Sequence, residues 1–315
     1  MTVPNVHPHN LVERFLEGMA AEKGASSNTL SSYKADIQDY FGFLEKQSPL
    51  TATNDTMLAY LETLQKKGFK TTTLARRVSS LKQFYGFLAE DGLCASNPTS
   101  QLSATKIKRP LPKTVTEVQI EILLQSVYQD ETVEGVRMAA LLETLYASGL
   151  RVSELVGLPL RSLMVDRDRK TLQNMVHVLG KGGKERLVPL NPPAVIALQN
   201  YLAIREQFVT KKNLRAQSWL FPSSSKDGHL TRQRFGQLLK QRALVANLDP
   251  DTFSPHILRH AFATHMLRGG ADLLVIQKLL GHADIATTQI YTHVIPDTIL
   301  DMVTTHHPLT KERNL

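Results

Sequence analysis

Between residues 97 and 116 the chain loses the means to run as a helix, and this interruption restricts it to a fold of two separately packed parts. Asn97-Pro98 ends the segment before it. Pro110 and Pro112 each lack an amide N–H and hold φ near −65°, so no helix crosses the stretch. Ser100 to Thr116 is otherwise mostly polar and basic, which predicts a linker of extended or polyproline character over 97–116. In a chain of 315 residues either side is long enough for its own core. The expected domains are 1–96 and 117–315.

Upstream of the seam the apolar spacing is helical throughout. Leu11, Phe15, Leu16 and Met19 share one face, Ile37, Tyr40, Phe41 and Leu44 a second, and Met57, Leu58, Leu61 and Leu64 a third. Leu74, Val78, Leu81, Tyr85 and Leu88 mark a fourth helix, with Thr71, Thr72 and Thr73 as N-cap candidates. Short connections between them predict a small antiparallel bundle. Downstream, helical patterns return at Glu117–Tyr128 and 136–147. The period then shortens: 175–179 and 185–190 are β-rich flanks around Gly182-Gly183, a hairpin signal. Helices resume at 194–206, 232–246, Pro255–Arg268, 272–280 and 284–291. The fold class expected is mainly α: a helical bundle, then a mostly helical α+β domain with a small antiparallel sheet.

Composition narrows the partners. A hydrophobic content of 42% and a charged content of 21% describe an ordinary soluble protein, and the net charge of +8 favours nucleic acid or an acidic surface. Residues 1–10 lack the pattern of a signal peptide, and no apolar run approaches the roughly 18 residues of a membrane span. The single cysteine, Cys94, excludes an internal disulfide and a cysteine-based zinc cage, so a reducing, cytoplasmic setting is expected. Lys66, Lys67, Lys70, Arg76, Arg77 and Lys82 fall in a window, 66–89, that holds no Asp or Glu. A solvated face would look the same, but in a basic protein the cluster reads as a surface for DNA phosphates. On the 232–246 helix, Arg232, Arg234, Lys240 and Arg242 are candidates for major-groove contact.

The chemistry concentrates near the C-terminal end. On the helix that opens at Pro255 and closes at Gly269-Gly270, His256, Arg259 and His260 share a face. Arg259 offers a planar fork of donors to a phosphate, and His256 exchanges a proton near neutrality. His260, close to Phe262 and Met266, is expected in a core or supporting position. A zinc site on His256, His260 and His265 lacks the His-Glu-x-x-His spacing and any carboxylate or cysteine ligand. Gly281 suits a left-handed cap that leaves His282 just outside a helix, and Tyr291 lies four residues after Thr287. Far upstream, Gly149 breaks a helix, Ser148 or Ser153 is the cap candidate, and Arg151 begins the next turn with Glu154 as its salt-bridge support. Lys181 flanks the hairpin glycines, either as a solvated cation or as one that dips into a groove. The spacing there is not that of a Walker loop.

In this order the motifs resemble the tyrosine recombinase (phage integrase) family of site-specific DNA recombinases, over almost the whole chain. Arg151, Lys181, His256, Arg259, His282 and Tyr291 match the family's catalytic positions type for type. The run Gly180-Lys-Gly-Gly-Lys-Glu-Arg-Leu-Val-Pro-Leu190 and the run Thr287-Thr-Gln-Ile-Tyr-Thr-His-Val294 look like the bacterial XerC/XerD type, and His306-His307-Pro308 leans toward XerD. The resemblance implies a SAM-like core-binding N-terminal domain and a catalytic domain that needs no metal or cofactor. It implies that Tyr291 attacks a phosphodiester and forms a 3′-phosphotyrosyl link. His256 would serve as base, Arg151 and Arg259 as clamps on the phosphate, His282 as a further donor and Lys181 as general acid. It further implies a homo- or hetero-tetramer on DNA with a XerC-like paralogue, possible contact with a septal DNA translocase, and resolution of chromosome dimers at cell division. The apolar segment 298–303 would reach into a neighbouring subunit or pack on its own domain. Two other classes fit parts of the sequence: a non-catalytic architectural or regulatory DNA-binding protein, and a type IB topoisomerase.

Overall fold

The structure, a computed structural model, describes residues 8–45, 47–94, 97–102, 115–165, 171–180, 185–209, 213–281 and 305–308. Two compact units, Met1–Leu111 and Pro112–Leu315, each enclose a hydrophobic core.

The first unit is built from α1 (Pro8–Ala21), α2 (Ser27–Leu44), α3 (Asn54–Lys66) and α4 (Thr71–Glu90). Each helix buries a stripe at three- and four-residue spacing: Leu11, Phe15 and Met19; Ile37, Tyr40 and Leu44; Met57, Tyr60 and Leu64; Leu81, Phe84, Tyr85 and Leu88. The Ser26 and Thr53 hydroxyls accept the N–H groups of Thr29 and Thr56 and so start α2 and α3. The α4 cap differs from expectation. Lys70 holds the N-cap position without a side-chain bond, and Thr71 to Thr73 already lie inside the first turn. The connection is short, turning at Gly68 with φ 77°, so helical geometry begins at Thr71 itself.

Arg77 is the larger correction. It belongs to the buried face of α4, one turn before Ser80 and Leu81, and not to a DNA-facing surface. There it donates to the Tyr60 hydroxyl at 2.7 Å, pairs with Asp39 and lies 4.8 Å from the Phe69 ring centroid. Its neighbour Arg76 pairs with the buried Asp36, which also accepts the Ser80 hydroxyl at 2.7 Å. A guanidinium on a core face needs acidic partners, and α2 supplies them.

The second unit runs α5 (Glu117–Tyr128), α6 (Val133–Ser148), α7 (Val152–Val156), β1 (Leu163–Val165), β2 (Leu172–Leu179), β3 (Glu185–Pro189), α8 (Pro192–Ile204), α9 (Arg232–Val245), α10 (Pro255–Arg268) and α11 (Leu273–Leu280). The strands form one antiparallel sheet in the order β1-β2-β3, with Val176 opposite Val188 and Leu179 opposite Glu185. Val176, Val178 and Val188 point into the core. Neither α7 nor β1 is visible in the sequence pattern, because five and three residues are too few to show a period.

At the centre of this unit lies α6. Every residue from Arg137 to Ser148 is buried, because α5, α8 and α10 cover it from different sides. Arg242, expected among the groove readers, instead faces inward from α9: it pairs with Asp130 and donates to the Ser126 carbonyl at 3.3 Å. Lys240 pairs with Asp251 at 2.8 Å, while Arg232 and Arg234 stay exposed in the first turn of α9.

Candidate active site

The site begins where α6 stops. Gly149 adopts the left-handed conformation, φ 59°, and a Cβ on it would lie 2.4 Å from Phe262 Cδ1. Glycine is needed there for both reasons. Two residues later Arg151 holds the N-cap position of α7. Neither Ser148 nor Ser153 caps that helix. Ser148 accepts the Leu150 N–H at 3.3 Å, while the Glu154 carboxylate, three residues into the turn, accepts the Arg151 N–H at 2.8 Å. The same carboxylate accepts Arg151 Nη1 at 3.1 Å.

Facing this turn is α10, capped by the Ser254 hydroxyl on the Ile257 N–H and opened by Pro255. Its buried positions are Leu258, Ala261, Phe262, His265 and Met266. That stripe leaves His256 and His260 exposed and Arg259 at its edge. The core histidine of this helix is therefore His265 and not His260, which falls on the opposite face. The helical period from Leu258 would have identified it. His265 Nδ1 lies 2.8 Å from the Tyr146 hydroxyl, and burial holds its pKa below the ordinary 6.5.

Two guanidinium groups converge at the end of α11. Arg259 donates through Nη1 to the Gly149 carbonyl and through Nη2 to the Leu280 carbonyl at 2.6 Å. Arg151 Nη2 donates to the next carbonyl, that of Gly281, at 3.1 Å. The chain turns there because Gly281 is left-handed, φ 66°. Terminal carbonyls of a helix carry its partial negative charge, so they suit cations. Burial, with the nearby Arg151 charge, pushes the Arg259 pKa down to about 10. Burial also pushes Glu154 upward, but the Arg186 and Arg151 hydrogen bonds and charges outweigh it, and the group stays below its ordinary 4.5.

Arg186 is the residue that the sequence reading missed. It grips both oxygens of Glu154, at 3.1 and 2.9 Å, from β3. Strand parity carried the signal, since Arg186 is two residues before the buried Val188 and so shares its core-facing side. Lys181, His282, Tyr291 and the 284–291 and 298–303 segments lie outside the described residues. Lys66, Lys67 and Lys70 are exposed at the α3–α4 corner, and Lys82 is half-buried. Among the described residues no group of three or more His, Cys, Asp or Glu side chains could hold a metal ion, and no helix is long and apolar enough to cross a membrane.

Comparison with known proteins shows the family. The family model described as "Phage integrase family" matches residues 113–297, and "Phage integrase, N-terminal SAM-like domain" matches residues 12–92. This chain belongs to the phage integrase family. It is a tyrosine-type site-specific recombinase, with a helical SAM-like domain before its catalytic domain. Among its relatives, Tyrosine recombinase XerD of Caulobacter vibrioides is 46% identical over 303 residues, covering 96% of this chain and 97% of that protein. Tyrosine recombinase XerD of Agrobacterium fabrum is 44% identical over 319 residues, covering 96% and 95%. The solved structure of XerH site-specific recombinase bound to a palindromic difH substrate, a post-cleavage complex, shares the fold: TM-score 0.65, 19% identity, coverage 96% of this chain and 91% of that one.

Proposed function

We propose that this phage integrase family member cuts and rejoins DNA at a specific site through a 3′-phosphotyrosyl link to Tyr291. The observation that carries the reading is the convergence of Arg151 and Arg259 on two consecutive carbonyl oxygens. A phosphodiester presents two non-bridging oxygens, the same class of acceptor with more charge, and planar guanidinium forks suit it. In the pentacoordinate state the negative charge on those oxygens grows, so fixed donors beside them favour that state over the ground state.

The remaining roles follow from proton bookkeeping. A tyrosine with a pKa near 10 is phenolate in only about one molecule in a thousand at pH 7, so its proton must be drawn off as the oxygen attacks phosphorus. His256, exposed one turn before Arg259, is the proposed base, directly or through water. The bond from phosphorus to the 5′-oxygen breaks, and Lys181 gives that oxygen its proton. His282, which follows Gly281 in the chain, adds a hydrogen bond to the phosphate. The phosphotyrosyl bond keeps the energy of the diester, so a 5′-hydroxyl from another strand reverses the step and joins the strands anew. Side chains supply all the positive charge that this scheme uses.

At the level of the cell, the 42–46% identity to XerD proteins supports a XerD-like role: resolution of chromosome dimers, on a tetramer shared with a XerC-like paralogue and under a septal DNA translocase. Segment 298–303 would join neighbouring subunits in that tetramer. Exposed Lys66, Lys67, Lys70, Arg232 and Arg234 are the proposed phosphate and groove contacts, with Arg76 and Lys82 beside them. Incubation with two duplexes carrying the recombination site tests the reading. Exchanged strands with the wild type and none with Tyr291→Phe support it; relaxation of supercoils without exchange would mark a topoisomerase, and binding without cleavage an architectural protein.

A further inference from the structure

We infer that Arg186 is a positioning residue for strand cleavage, acting through Glu154 to keep the Arg151 guanidinium available to the phosphate. The inference rests on the cleavage reading above. Glu154 is nearly buried, with 7% of its side chain exposed, and a carboxylate in that position demands compensating charge. Two arginines compete for it. Arg186, 17% exposed, takes both oxygens in an end-on grip, Nη1 to Oε1 at 3.1 Å and Nη2 to Oε2 at 2.9 Å. Arg151, 39% exposed, gives Glu154 its backbone N–H at 2.8 Å but only one atom of its guanidinium, Nη1 at 3.1 Å, and turns Nη2 toward the Gly281 carbonyl.

The division of labour follows from that geometry. A bidentate pair is the stronger of the two contacts, so Arg186 satisfies most of the carboxylate's charge. What remains is enough to orient Arg151 but not to hold its fork. Without Arg186, Glu154 would draw Arg151 into the bidentate position and away from the end of α11. Arg186 also forms the floor beneath Gly281: a Cβ on that glycine would lie 3.2 Å from Arg186 Cζ. One side chain thus touches both the partner of Arg151 and the turn at Gly281.

The test is single-turnover cleavage of nicked site DNA by the full chain, with DNA affinity measured in parallel. We expect Arg186→Met to slow cleavage about 10–100-fold, by analogy with the loss when a residue that orients a metal ligand is removed, while Kd for the same DNA changes less than about threefold. Arg186→Lys, which keeps the charge but not the fork, should recover part of the rate. Arg186→Met/Glu154→Gln should recover more than Arg186→Met alone, because the stranded carboxylate is gone. Cleavage by Arg186→Met at the wild-type rate would overturn the inference. So would a loss in which Kd rises in step with the rate defect. Should Arg186→Met not fold, judged by circular dichroism, the folded Arg186→Lys decides: an unchanged cleavage rate overturns the inference and a reduced rate at unchanged Kd supports it. If the wild type itself yields no covalent product, the cleavage reading fails and not the role of Arg186 alone.

Discussion

Single atoms at Gly149 decide whether the two halves of the site can meet. Its φ of 59° disfavours any side chain, and an added methyl would meet Phe262 at 2.4 Å. Gly149→Ala should therefore cost about 2–4 kcal/mol, the sum of left-handed strain and overpacking, seen as a lower urea midpoint. Arg259→Ala should leave the fold in place and slow single-turnover cleavage by on the order of 10²–10³, the usual loss when one donor to a developing oxyanion is removed. The pH dependence of Glu154 has a definite sign. Its folded pKa lies below 4.5, so the unfolded chain takes up the proton first as the pH falls. The stability it contributes is complete above about pH 5 and disappears as the pH drops through the folded value. The gap in Tm between wild type and Glu154→Gln should accordingly narrow on acidification from pH 6 to pH 4, measured by scanning calorimetry.

At the scale of elements, the long helices were legible because their apolar stripes repeat over several turns, as in Leu81, Phe84, Tyr85 and Leu88 of α4. The β2–β3 pair was legible from the glycines between two β-rich runs. What periodicity could not show was which charged residue turns inward. Arg77 and Arg242 read as surface cations, yet each faces an acidic group brought from a distant segment, Asp39 and Asp130. The partner is fixed only by tertiary packing. His260 was misplaced for a related reason: its apolar sequence neighbours suggested burial, but the stripe through Leu258 and His265 excludes it. The helix start at Arg151 and the helix that carries Arg259 were legible from their glycine and proline signals, whereas the contact that braces Arg151, Arg186 to Glu154, joins residues 32 apart. A direct comparison follows at the α3–α4 corner. Arg77→Met should destabilise the N-terminal bundle by about 1–3 kcal/mol, since it removes the hydrogen bond to the buried Tyr60 hydroxyl and the cation beside half-exposed Asp39, while Asp36 keeps Arg76 and Ser80. Lys66, Lys67 and Lys70 changed together to Gln should leave Tm nearly unchanged, weaken DNA binding, and reduce the salt slope of log Kd by up to about 3.

For the molecule as a whole, the two units divide the work by chemistry. The first carries exposed lysines over an all-helical core, and the second carries a pair of arginines braced by buried carboxylate and helix-end carbonyls. Arg151 and Arg259 meet at the end of α11, and Arg186 braces Arg151 through Glu154 of α7, so under the proposed reading the charge of the site is set before DNA arrives. Such preorganisation lowers the barrier of the proposed transfer, because the donors need not be gathered during the reaction. The most direct measurement is the identity of the residue that bonds to DNA. Protein trapped on nicked site DNA, digested with protease and analysed by mass spectrometry, should yield one nucleotide-bearing peptide, with a 3′-phosphate ester on Tyr291. An adduct on any other residue, a link to the 5′ end, or cleavage with no adduct at all would contradict the account.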